Sequence, residues 1–136
     1  MNRSLAREIA MKMLYAASLG GEESMSEVLE QSEQVDTLDD GDKTFLENLV
    51  AGVNGRQEEL DGVIEKHVQG WALNRLARVD LTILRMAAYE LMYMPEVPVG
   101  ASINEAVELS KRFCEDKSSG FINGILGSVA RAHRSD

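Results

Sequence analysis

The sequence predicts an all-α fold, and three observations carry that expectation. Leucine, alanine, methionine and glutamate are abundant, while aromatic side chains are only 5% of the residues, a composition that favours helix over strand. Apolar residues recur at three- and four-residue spacing in seven successive stretches, which is the period of one helix face. No stretch alternates apolar and polar residues as a half-buried strand would.

The elements follow in order. Residues 3–18 form the first predicted helix, with Leu5, Ala6, Ile9, Ala10, Met13 and Ala17 inward and Arg3, Arg7, Glu8, Met11 and Tyr15 on the opposite face. Gly20-Gly21 ends it, glycine being the usual residue beyond a helix terminus. Ser24 and Glu27 have the spacing of a capping box, which starts a second helix running to about Gln34. A polar loop precedes a third helix from about Asp42, with Phe45, Leu46, Leu49, Val50 and Val53 on one face, and Asn54-Gly55 interrupts it. A fourth runs from about Gln57 to Val68 with Leu60, Ile64 and Val68 inward, before a turn at Gly70-Trp71. Residues 72–94 are the most apolar stretch, with Val79, Ile83, Ala87 and Leu91 on one stripe and Leu84, Ala88 and Met92 on another. A helix apolar on most sides is the buried centre of its domain. Pro95 and Pro98 stop it, and a second capping-box pattern, Ser102 to Glu105, opens a helix that buries Ile103, Val107 and Phe113. The last helix covers about Ser119 to Ala132, with Phe121, Ile125 and Val129 on one side.

The 136 residues suit one domain or two small subdomains sharing a core. No apolar run approaches the roughly 18 residues of a membrane span, no signal-peptide core opens the chain, and a single cysteine excludes an internal disulfide. A cytoplasmic protein is the simplest expectation. The net charge of −9 argues against a generic nucleic-acid binder, but the acidity is local. Residues 20–66 hold fourteen acids against three bases, whereas residues 1–19 hold three bases against one acid and residues 67–136 are balanced.

No catalytic, cofactor-binding or metal-binding constellation is evident. His67 and His133 lack metal-ligand spacing, and Cys114 has no base near it in sequence. "DTLDDGDKTFLE", Asp36 to Glu47, imitates a calcium loop, but Leu38 stands where an oxygen ligand belongs and Lys43 faces the intended cation. It reads better as a solvated loop that caps the following helix.

The start of the last helix is more suggestive. Ser118, Ser119 and Gly120 lie where free backbone amides and the positive end of the helix dipole favour anions, with Lys117 alongside. Phe121 is placed either as a core anchor or as a platform for a stacked base. Gly124, Gly127, Ser128 and Arg131 make a small, polar face suited to close approach by another helix or a ligand.

"INEAVELSKRF" followed by "KSSGFINGIL" resembles the C-terminal signature of the NusB family of bacterial transcription antitermination factors. "ARVDLTILRMAAYEL" is similar to that family's central helix, "AREIAMKMLY" to its first, and "LVAGV" with Asp61 to its middle. The resemblance implies about seven helices in two packed subdomains, here residues 1–70 and 71–136. It implies no enzymatic activity. It implies binding of boxA, a short single-stranded RNA element of ribosomal RNA operon transcripts, together with the ribosomal protein NusE in an RNA polymerase antitermination complex. Homodimers that bury the RNA surface occur in the family. Carried onto this sequence, the RNA-facing positions are Arg3, Arg7, Lys117, Ser118 and Phe121, and the partner-facing positions are Tyr15 and Asp80. Two departures stand out: many members have a denser N-terminal arginine run, and some have a basic residue where this chain has Gly120. Fewer phosphate contacts imply weaker RNA binding and a smaller salt slope, by about one unit per contact. A helical module kept only for protein contacts, including self-association, is the competing expectation.

Overall fold

Six α-helices and two short 3-10 turns account for the computed structural model, which describes residues 1–68 and 72–134. No strand occurs among the described residues. The expected turn at Gly70-Trp71 lies outside them. The chain divides into two compact units, Met1–Asn54 and Gly55–Asp136, each taken by itself below.

In the first unit, α1 spans Arg3–Gln31 and is broken at Gly21, whose φ of 78° and ψ of −165° are non-helical. Only glycine adopts that conformation without strain. The two helices expected on either side of Gly20-Gly21 thus meet at this break. Ser24 lies within the second rather than capping its start. Its hydroxyl instead lies against Gly20, where a Cβ would collide with it. Asn2 caps α1 by accepting the Leu5 N–H at 3.0 Å. A 3-10 turn at Glu33–Thr37 leads to α2, Asp40–Gly55. Asp39 begins α2 by accepting the Asp42 N–H at 2.8 Å. That hydrogen bond, ahead of every other influence, lowers the Asp39 pKa. The apolar face foreseen for α2 is buried as expected: Phe45, Leu46, Leu49, Val50 and Val53 are all below 9% exposure.

The second unit is built around α4, Arg78–Tyr93, with α3 (Gln57–His67), α5 (Val99–Phe113) and α6 (Ser118–His133) packed on it. Ile83, Leu84, Ala88 and Leu91 are essentially inaccessible, as are Ile122 and Leu126 of α6. The sequence placed the division of the chain at residues 70/71. It falls earlier because α3 joins α4 and α6. Leu60 and Ile64 supply the buried contact. Arg85 donates to both carboxylate oxygens of Asp61, at 2.7 and 2.9 Å. His67 Nδ1 lies 2.6 Å from the Ser128 hydroxyl. Burial, followed by the nearby cations His133, Lys66 and Arg131, lowers the His67 pKa.

Helix α5 corrects the second capping-box reading. It begins at Val99, after Pro98, so Ser102 is a turn inside it. The Ser102 N–H is already taken by the Pro98 carbonyl at 3.2 Å. Its hydroxyl instead reaches across to Glu90 Oε1 of α4 at 2.9 Å. Both residues are buried, so this hydrogen bond meets the requirement that a buried carboxylate find donors.

Candidate nucleic-acid interface

In the second unit three chain turns meet around one cavity of about 730 Å³. They are the start of α4, the end of α5 at Phe113-Cys114, and the start of α6. Helix α6 is set by the turn Glu115–Ser118, in which the Ser118 N–H reaches the Glu115 carbonyl at 2.9 Å. Val79, Phe113 and Phe121 give the cavity apolar walls, while Asp80, Cys114 and Ser118 supply its polar groups. Asp80 and Ser118 are each 8% exposed, and the Ser118 hydroxyl donates to Asp80 Oδ2 at 2.9 Å. Burial, with a hydrogen bond and charge from Asp80, pushes the Cys114 thiol up to about 12. It is a protonated, unreactive group at neutral pH. Lys117 and Arg75 line the same cavity and are exposed. Neither side chain has an ion-pair or hydrogen-bond partner among the described residues. An apolar slot with an aromatic wall, a buried acceptor and unpaired cations suits a flat ring attached to a phosphate.

The first unit holds a second cluster of cations. The Arg3 and Arg7 guanidinium carbons lie 4.6 and 5.0 Å from the centroid of the Phe45 ring. Their four-residue spacing on α1 puts them on one face. Arg3 Nη1 also donates to the Gly41 carbonyl at 2.8 Å and lies 3.5 Å from Asp42 Oδ1.

The NusB family model matches residues 4–131 of this chain. The chain is 41% identical over 134 residues to the transcription antitermination protein NusB of Clostridium novyi, covering 97% of this chain and all of that protein. The chain belongs to the NusB family. Its fold is also similar to that of T. maritima NusB, with a TM-score of 0.88 at 30% identity, covering 99% of this chain and 94% of that one. A crystal structure of the antitermination factors NusB and NusE in complex with dsRNA matches with a TM-score of 0.84 at 29% identity, covering 96% and 97% of the two chains.

The positions carried over from the NusB family fall into two groups. Asp80, Lys117, Ser118 and Phe121 meet around the cavity. Arg3 and Arg7 meet on Phe45, and Tyr15 lies two turns further along α1, half-buried. The expectation that Arg3, Arg7 and Tyr15 share an exposed face is corrected for Arg7, which is 5% exposed. Its stem follows α1 inward and its guanidinium covers the Phe45 ring. Asp80, a partner-facing position by the family resemblance, is buried and accepts a hydrogen bond from Ser118. Phe121, for which core and ligand-facing roles were both open, is half-buried and lines the cavity.

Among the described residues the glycines of α6 do not serve close packing. Nothing lies within 4 Å of the Cβ position at Gly124, and at Gly127 only the Arg131 side chain approaches, at 3.4 Å. Among the described residues no three His, Cys, Asp or Glu side chains gather as a metal site, and no helix is long and apolar enough to cross a membrane. Sequence reasoning passed over Asp42 and Phe45 as parts of the arginine cluster. Phe45 reads as one more apolar residue of α2 and Asp42 as a helix-start acid. The only available signal was the match between an i,i+3 acid–aromatic pair and an i,i+4 arginine pair.

Proposed function

We propose that this chain is a non-catalytic, cytoplasmic antitermination factor that binds boxA-type single-stranded RNA together with NusE, within an RNA polymerase antitermination complex. The observation that carries this reading is the second-unit cavity. It joins an aromatic wall at Phe121 to an unpaired lysine at the first residue before α6, in a chain similar along nearly its whole length to a NusB described with NusE and RNA. Lys117 and the amides at the start of α6 would meet phosphate, Phe121 a base, and Arg3 a further phosphate. Tyr15 and Asp80 are the proposed NusE-facing positions, with Asp80 acting from inside the cavity.

The test is binding to boxA-type and scrambled RNA across a salt series, with and without NusE. Discrimination between the two RNAs in either condition supports the reading, and its absence in both sinks it. The competing reading is a helical module kept only for protein contacts, such as self-dimerisation, and it is supported by the net charge of −9 and the sparse N-terminal arginines, both of which disfavour RNA. Light scattering of a variant lacking the charges of Arg3, Arg7 and Lys117 separates the two. Loss of RNA binding at unchanged mass supports the adaptor, whereas a change of mass supports self-association.

A further inference from the structure

Asp42 is completely inaccessible to solvent, and its Oδ1 has no hydrogen-bond donor. A buried carboxylate is costly unless cations stay beside it. Here Oδ2 accepts the Asn2 backbone N–H and Oδ1 faces Arg3 at 3.5 Å. The Arg3 side chain is 36% exposed, so a large ligand can reach it, whereas Arg7 is covered. All polar contacts of Arg3 run through Nη1, to Gly41 and Asp42. The edge formed by Nε and Nη2 has no partner among the described residues. A guanidinium is a rigid planar fork with five N–H donors, so one edge can be fixed to protein while the other pairs with a phosphate.

We propose that Asp42 is a positioning residue for RNA binding: with Gly41 and Phe45 it anchors the inner edge of Arg3 so that the outer edge meets a backbone phosphate already oriented. The proposal rests on the RNA-binding reading above and deepens it. It explains how a sparse arginine run can serve, since an anchored arginine loses less freedom on binding than a solvated one. It also assigns Arg7 a supporting role, as the second cation stacked on Phe45. Lysine at position 3 would not substitute, because one ammonium cannot hold the inner contacts and stack on the ring while offering a second edge.

The sign of the effect separates this from simple electrostatics. D42N makes the chain less acidic, so charge alone predicts tighter RNA binding, as would an acid that merely sequesters Arg3. Positioning predicts weaker binding. Wild type, D42N, R3A, R3K and the R3A/D42N double variant are titrated with boxA-type and scrambled single-stranded RNA over a salt series, and urea unfolding reports the folded fraction of each. D42N should weaken binding about tenfold, and that loss should vanish in the R3A background, the coupling expected of residues acting as a unit. R3K should lose as much as R3A. A merely structural Asp42 would give additive losses, which overturns the proposal, as does unchanged or tighter binding by D42N. Should D42N fail to fold, R3K decides: wild-type affinity in R3K overturns the proposal. Equal binding of both RNAs by wild type removes the boxA reading, while the Arg3–Asp42 cycle, read on either RNA, still judges the positioning role.

Discussion

The two units present cations in opposite ways. In the first, Arg3 and Arg7 are tied down on Phe45, with a fully buried acid against Arg3. In the second, Lys117 stands unpaired at a helix start, and the buried acid of its cavity, Asp80, is engaged by a serine hydroxyl. The contrast teaches that a strongly acidic chain can keep cations available by two routes. One anchors a guanidinium through a single nitrogen and leaves its other donors open. The other occupies the local acid with a neutral donor so that it does not capture the lysine.

The largest expected effect tests the first route. Phe45 is 8% exposed and carries both guanidinium groups. F45A should cost about 3–5 kcal/mol, the range for deleting a buried phenyl ring, measured by urea unfolding. A loss under about 1 kcal/mol would mean that the ring is not what holds the cluster, and the contrast would lose its first half.

The second route predicts a quiet cysteine. With the Cys114 pKa raised from 9.0 to about 12, the thiolate fraction at pH 8 is roughly a thousandfold below that of a free thiol. Alkylation by iodoacetamide should be slower by about that factor in the folded protein and become ordinary in urea. The stabilising contribution has a fixed sign: it is fully present below the ordinary thiol value and is lost as pH rises from about 9 through about 12. A thiol that reacts freely at pH 8 would show the cavity to be wetter than its walls imply.

Ser118 gives a smaller effect. S118A removes the hydroxyl that donates to Asp80 and leaves a buried acceptor short of a donor, at about 1–3 kcal/mol. If stability is unchanged and RNA binding weakens as it does without Lys117, Asp80 has captured the lysine once freed, which would sharpen the second route.

How much of this was legible beforehand depends on range. The apolar stripes of α2, α3 and α4 were readable because helical period is a local property, and Leu49, Leu60, Leu84 and Leu91 are buried as it requires. Caps were less readable, because the same Ser-x-x-Glu pattern serves two physical purposes. Ser102 fits the capping spacing, yet its partner is Glu90, twelve residues away on another helix. The family resemblance located Lys117, Ser118 and Phe121, and the structure brings them to one cavity. The burial of Arg7 and the partnership of Arg3 with Asp42 were beyond reach. They join positions nearly forty residues apart, and nothing local distinguishes an arginine that covers a ring from one in water.

The smallest expected change in stability belongs to Lys117, and it isolates function from fold. Lys117 is exposed, makes no side-chain cap for α6 and has no partner among the described residues. K117A should therefore alter unfolding by no more than about 0.5 kcal/mol. If the lysine meets a phosphate, the slope of log affinity against log salt should fall by about 0.7 for a single-stranded RNA. The arginine cluster predicts the reverse combination for F45A, a large loss of stability with an RNA defect that follows the loss of anchoring. A K117A protein that is destabilised by more than 1 kcal/mol, or one whose salt slope is unchanged, would mean that the lysine is held by something within the chain. The two routes would then reduce to one, with Lys117 anchored before a ligand arrives as Arg3 is.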